Sequence, residues 1–166
     1  MEQIIIQYGN SVLRLAYFYL QDRGMAEDIA QEVFLRVWQK LPTFRGESDL
    51  KSWILRIAAN LCKDRLRSWS WRRVRLMEEE FWETLPVGAN PSAQTLAREK
   101  QAVLVREVMR LPVKYREVVV LFYYHGLDSR EIALVLDSKE GTVRNRLARA
   151  RAILKKSLLK EGITGA

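Results

Sequence analysis

The residues of this 166-residue chain with the most chemistry to offer are cations and amides, and their pattern suits recognition of nucleic acid. Between Lys139 and Lys160 stand eight basic residues against one acid, Glu140. A helix that is merely solvated mixes its charges; this one does not. Val143, Leu147, Ala150 and Leu154 recur at spacings of four, three and four, one apolar stripe of a helix starting near Glu140. Thr142, Asn145, Arg149 and Lys156 fall opposite that stripe, with Arg144, Arg146 and Arg151 on its flanks. Thr and Asn bond base edges, Arg takes guanine bidentately, and flanking Arg and Lys hold phosphates. One side of this helix packs and the other suits a major groove.

Such a helix needs a partner to aim it. Asp128, Ser129 and Glu131 offer a capping box for a preceding short helix, whose apolar side is Ile132, Ala133, Val135 and Leu136. The pattern stops at Asp137-Ser138, where Asp tolerates a left-handed backbone and either residue offers a cap for the next helix. The pair reads as a helix-turn-helix. Two further helices, one ended by Pro112 and one over 113–124 ended by His125-Gly126, pack behind it.

A second basic face lies near the middle of the chain. In LKSWILRIAANLCKDRLR, from Leu50, the apolar residues Leu50, Ile54, Ile57 and Leu61 form one stripe; Arg56, Asn60, Lys63 and Arg67 align opposite it. Ser48 or Asp49 caps this helix. The loop before it, 41–49, places Phe44 beside Arg45, a pair able to stack on an unpaired base, although a loop aromatic more often tucks onto its own domain. Upstream, Ile5, Tyr8, Val12, Leu15 and Tyr19 mark a first amphipathic helix, broken at 21–24. A second over 25–40 places Ile29, Val33, Val37 and Leu41 on one face and leaves Asp28, Gln31, Glu32 and Arg36 on its polar side with Leu35 nearby.

The charge distribution is as informative as its total of +8. Residues 1–50 carry five bases and seven acids, 51–75 eight bases and one acid, 76–97 four acids and no base, and 98–166 fifteen bases and eight acids. Two basic surfaces joined by an acidic connector suit a polyanion touched at two places. Pro86, Gly88, Asn90, Pro91 and Ser92 mark a linker, within which Trp69, Trp71 and Trp82 argue against an inert spacer. The expectation is an all-α chain of two small helical domains: an N-terminal bundle at 1–68, a flexible linker at 69–96, and a four-helix domain with a helix-turn-helix at 97–166. Cys62 is the only cysteine, which excludes a disulfide framework or a thiolate metal cluster. No leader pattern and no apolar run of about 18 residues is present, so a cytoplasmic protein without membrane insertion is expected.

In sequence, AEDIAQEVFLRVW, then FRGESDLKSWILRIAANLCKDRLR, then LPVKYREVVVLFYYHGLDSREIALVLDSKEGTVRNRLARAR, the chain resembles the bacterial sigma factors of the extracytoplasmic-function group. The resemblance implies an initiation factor that carries core RNA polymerase to promoters, binding its clamp coiled coil and its flap. It implies that Asp28, Gln31, Glu32, Leu35 and Arg36 dock on the clamp. Phe44, Arg45, Glu47 and Ser48 fall in the loop that captures a flipped minus-ten base, and Arg56, Asn60, Lys63 and Arg67 in the helix that reads the adjoining duplex. Lys139, Thr142, Arg144, Asn145, Arg146 and Arg149 fall on the minus-thirty-five recognition helix. An anti-sigma factor is an expected partner, and no cofactor or metal is implied. The chain departs from the family at Asp137, Ser138 and Lys139, where Gly, an apolar residue and Ser or Pro are usual, and at Asn145, where Ser is common.

Two other classes compete. A stand-alone helix-turn-helix regulator would bind operator duplex unaided, often as a symmetric dimer. An enzyme would need acid–base or metal groups; His125 beside a turn glycine suits a surface or capping place, and Asp28 with Glu32 makes no two-metal site. Direct readout predicts that Asn145→Ala alters upstream sequence preference, whereas Arg146→Ala weakens binding evenly across variants. Affinities over a promoter-variant library check this division.

Overall fold

The computed structural model describes residues 1–68 and 94–163, with side chains from residue 97 onward in the second stretch. The tryptophans and acidic run of the connector lie outside the described residues. Helices α1 (Glu2–Leu20), α2 (Arg23–Lys40) and α3 (Leu50–Ser68) form the N-terminal group. The C-terminal group is α4 (Gln94–Arg110), α5 (Val113–Val119, continued by a π-helical stretch Val120–Tyr124), α6 (Ser129–Leu136) and α7 (Glu140–Lys160). All seven are helices, as the periodicities predict.

Local chemistry sets the boundaries. Gln21 takes a left-handed conformation, φ 54°, and Asp22 accepts a hydrogen bond from the Met25 amide, so α2 starts two residues before the predicted Met25. Leu41–Thr43 winds into a 3₁₀ turn rather than open loop, with Pro42 near its start. Asp49 caps α3, its carboxylate accepting from the Ser52 amide at 2.9 Å and hydroxyl at 2.7 Å. Asp128 and Glu131 complete the capping box of α6. Asp137 adopts φ 51° at the turn, but neither it nor Ser138 caps α7; Lys139 is the N-cap residue, without a side-chain bond. The left-handed turn directs Asp137 away from the amides that follow, and the Ser138 amide instead donates back to the Ala133 carbonyl.

Packing differs from the single-domain pattern in one direction. Tyr17 and Phe18 are buried along with Val12, Leu15 and Tyr19, while Ile5 is exposed. On α3 the buried residues are Ser52, Ile54, Leu55, Ala58, Ala59, Leu61 and Cys62, with Leu50 and Ile57 only half-buried. The reason is that α1 and α3 are covered on two sides. Helix α1 packs on α2 and α3 and also on α5; α3 packs on α6. One contiguous apolar core runs through both helix groups.

The junction is polar at its centre. The last carbonyls of a helix lack intrahelical donors. Arg116 of α5, buried, donates to the Phe18 carbonyl at 2.7 Å and to the Leu111 carbonyl at 3.0 Å. Gln21 donates from its side chain to the Met109 carbonyl at 3.0 Å. Each group thus caps a helix end belonging to the other. Burial pulls the Arg116 guanidinium down to about 10, which leaves it charged at neutral pH.

His125 is buried here rather than on the surface, because the π-helical stretch before it turns the chain into the junction, where the Lys51 ammonium donates to its carbonyl. Burial, then the Lys51 and Arg14 charges, hold its imidazole down from 6.5 to about 3. Protonation below the ordinary value therefore favours the unfolded chain: the stability is present above about pH 6.5 and lost as pH falls towards 3. Between pH 7 and pH 5 the loss expected from this group is about 2 kcal/mol. Unfolding free energies from denaturant titrations at the two pH values should differ by that much less in His125→Leu. At Asp137, Asp137→Val is expected to cost about 1–2 kcal/mol more than Asp137→Gly, since both lose the carboxylate and only one strains the left-handed turn. Thermal melts of the two variants check it.

Candidate nucleic-acid and polymerase interfaces

Three surfaces carry the residues singled out in the sequence. On α2, Asp28, Gln31, Leu35 and Arg36 are exposed and Glu32 is half-buried, paired with Arg36 at 2.9 Å. Leu35 is 60% exposed, and Trp38, which the sequence reading passed over, is 63% exposed three residues further on. Two large apolar side chains one turn apart on a charged helix suit a protein partner more than water. The i, i+3 spacing from Leu35 to Trp38 was the available signal.

The second surface is the 44–49 loop with α3. Arg45 and Glu47 are exposed and Ser48 is half-buried. The Phe44 ring lies against Trp53, centroids 4.8 Å apart, so the loop aromatic tucks onto its own domain. Arg56, Asn60 and Arg67 are exposed and Lys63 is half-buried. Two residues of this face also approach acids of the C-terminal group. Arg56 approaches Asp137 at 4.0 Å, and Lys63 approaches the Glu117 carboxylate at 3.3 Å.

The third surface is α7. Val143, Leu147, Ala150 and Leu154 are buried as the stripe predicts, with Leu158 extending it. Lys139, Arg144, Asn145 and Arg149 are exposed; Thr142 and Arg146 are half-buried. Arg144 pairs with Glu140 one turn back. Arg151, a flank cation in the sequence reading, is engaged within the domain: it donates to the Tyr123 hydroxyl at 2.7 Å and lies over the Phe122 and Tyr123 rings. Arg146 meets Glu117 at 3.4 Å.

Glu117 is the residue that pattern reading could not find. It is buried, its Oε2 accepts from the Tyr19 hydroxyl at 2.6 Å, and it faces Lys63 of one basic surface and Arg146 of the other. Around it opens a cleft of ≈ 510 Å³ whose lining includes Lys63, Arg67, Lys114 and Arg146. Burial, with the Glu117 charge next, pushes the Tyr19 phenol well above its ordinary range, so it stays a donor. Burial likewise pushes the Cys62 thiol up to about 12, in keeping with a packing residue. Among the described residues no cluster of three or more His, Cys, Asp or Glu side chains could hold a metal ion, and no helix is long and apolar enough to cross a membrane.

Known proteins resemble this chain in sequence and in fold. Residues 4–72 match the Sigma-70 region 2 family, and residues 101–154 match Sigma-70, region 4. The RNA polymerase sigma-H factor of Pseudomonas aeruginosa is 32% identical over 162 residues, covering 93% of this chain and 84% of that protein. The ECF RNA polymerase sigma-E factor of Escherichia coli K12 is 32% identical over 155 residues, covering 89% and 81%. The probable RNA polymerase sigma factor RfaY of Xanthomonas campestris is 33% identical over 95% of this chain, which spans only 40% of that longer protein. Among solved structures, the sigma factor RpoE in complex with the anti-sigma factor NepR from Bartonella quintana shares the fold with a TM-score of 0.71 at 21% identity, over 95% of both chains. CnrH in complex with the cytosolic domain of CnrY gives 0.68 at 25% identity, over 95% of this chain and 86% of that one. With both helix groups matched in order and the sigma-H and sigma-E relatives above 30% identity along most of their length, the chain belongs to the sigma-70 family of RNA polymerase sigma factors, in its extracytoplasmic-function group.

Proposed function

We propose that the chain binds core RNA polymerase through the exposed face of α2 and directs it to promoters by reading DNA at two places. Asp28, Gln31, Glu32, Leu35 and Arg36, joined by Trp38, form the polymerase contact. Helix α7 enters the upstream major groove, with Asn145 and Thr142 on base edges and Lys139, Arg144, Arg146 and Arg149 on bases and phosphates. The 44–49 loop traps an unpaired minus-ten base, and Arg56, Asn60, Lys63 and Arg67 hold the adjoining duplex. Extruding a base costs a few kcal/mol, which stacking and hydrogen bonding in a pocket offset. The catalysis of RNA synthesis belongs to the polymerase; this chain supplies position and melted DNA, and works in the cytoplasm where that polymerase is.

The observation that carries this reading is the placement of three separate motifs, in family order, on three surfaces of different chemistry: apolar-acidic on α2, aromatic-basic at the loop and α3, amide-basic on α7. By likeness to the RpoE complex, an anti-sigma factor is the restraining partner.

The test is run-off transcription from a promoter library with purified core polymerase. New RNA 5′ ends should appear only when the chain is added. The double variant Asp28→Ala with Leu35→Ala should weaken core binding about tenfold or more while leaving helix content unchanged. Identical RNA ends with and without the chain would overturn the proposal.

A further inference from the structure

The cleft around Glu117 holds a charge pattern that contacts within the chain do not use up. Its volume of ≈ 510 Å³ is of the size that takes one small organic molecule. Four cations from three helices line it: Lys63 and Arg67 of α3, Lys114 of α5 and Arg146 of α7. Two carboxylates, Glu117 and Asp137, share the lining, which leaves two positive charges in excess. Glu117 is buried, accepts from the Tyr19 hydroxyl at 2.6 Å, and stands 3.3 Å from the Lys63 ammonium and 3.4 Å from the Arg146 guanidinium. It fixes two cation heads at the cleft wall without saturating either, since an ammonium has three donors and a guanidinium five. The other two cations are held by weaker contacts. The Arg67 side chain, 75% exposed, pairs with Asp64 at 3.2 Å, and the Lys114 ammonium lies 5.0 Å from the centre of the Tyr115 ring. Exposed contacts of these kinds are worth at most about 1 kcal/mol each, so a multivalent anion draws both cations away.

The remaining wall is largely apolar. Leu66 and Val113, half-buried, and Leu136, buried, form it, and Ser138 completes the lining. Helix α7 begins just after Ser138 with no side-chain cap, so its first amide donors and the positive end of its dipole add to the field. We propose that this cleft binds a small phosphorylated organic anion of the nucleotide class, with its phosphates on Lys63, Arg67, Lys114 and Arg146 and its base against Leu66, Val113 and Leu136. Guanidinium forks match phosphate oxygens bidentately, and a lysine beside them serves as a point charge. A nucleoside diphosphate answers both the excess charge and the apolar wall. Inorganic pyrophosphate leaves the wall bare, and an uncharged nucleoside leaves the cations unanswered. The ligand touches both helix groups at once. Lys63, Arg67 and Arg146 are also assigned to DNA above, whereas Lys114 belongs to the cleft alone, which makes it the position at which the site is tested.

Isothermal titration calorimetry on the full chain compares ADP, inorganic pyrophosphate and adenosine at about 0.1 M salt, where exposed charges still act over about 10 Å. ADP should bind at one site per chain, about tenfold or more tightly than pyrophosphate or adenosine. Lys114→Glu should weaken ADP binding about tenfold or more, and Lys114→Arg, which keeps the cation, should stay within about threefold of the parent. Lys40→Glu makes the same charge change at an exposed position outside the cleft, and it too should stay within about threefold. Lys114 is exposed, so its variants keep the fold, and far-UV circular dichroism checks that they do. Equal losses in Lys114→Glu and Lys40→Glu would reduce the effect to net charge and overturn the site. Pyrophosphate binding as tightly as ADP would overturn the role of the apolar wall and with it the nucleotide class. Absence of saturable binding by ADP would overturn the proposal altogether. None of these readouts involves polymerase or promoter DNA, so the cleft and the proposed function fail separately.

Discussion

Two adjacent side chains of opposite charge, Arg116 and Glu117, are buried where the two helix groups meet, and most of the architecture answers their needs. A buried charge is tolerated only when its hydrogen bonds are satisfied. Arg116 meets this at the carbonyl ends of α1 and α4, where the helix dipoles present partial negative charge. Glu117 meets it with the Tyr19 hydroxyl and two cations. In each case some partners come from the other helix group. Neither charge is fully satisfied by its own domain.

This requirement explains features of the apolar packing that are otherwise odd. Helix α1 has a consecutive buried run, Leu15 to Tyr19, which no one-sided amphipathic helix would show. Its end is gripped by Arg116 and by Gln21's bond to Met109, so the whole circumference of the last turns is covered. Phe18 meets Tyr124 with ring centroids 5.0 Å apart, and the π-helical stretch that carries Tyr124 also swings His125 into the junction. A regular α-helix through 120–124 would place these side chains at different angles.

How legible this was depended on the range of the forces involved. The capping box of α6, the left-handed turn at Asp137, the buried stripe of α7 and the existence of each helix follow from contacts within four residues, and all could be read from spacing. The reading was less accurate where burial came from elsewhere. On α3 the predicted stripe of Leu50, Ile54, Ile57 and Leu61 is rotated towards Leu55, Ala58 and Cys62, because a second wall, α6, covers the helix. His125 reads as a turn residue and is buried because the π-helical stretch before it turns it into the junction between the helix groups. Trp38 was passed over because an exposed tryptophan does not disturb a helical pattern.

By itself the sequence determined the helices, their order, the three motif-bearing surfaces and the family, since these depend on local periodicity and on residue types at fixed offsets. Tertiary structure alone decided that the two basic surfaces face one another, that Arg146 and Lys63 share one carboxylate, and that Arg116 caps the far end of α1 at the Phe18 carbonyl. The physical reason is that charge pairing and helix-end capping act through space over a few ångströms, between residues as far apart in sequence as 98 positions, where no pattern along the chain records them.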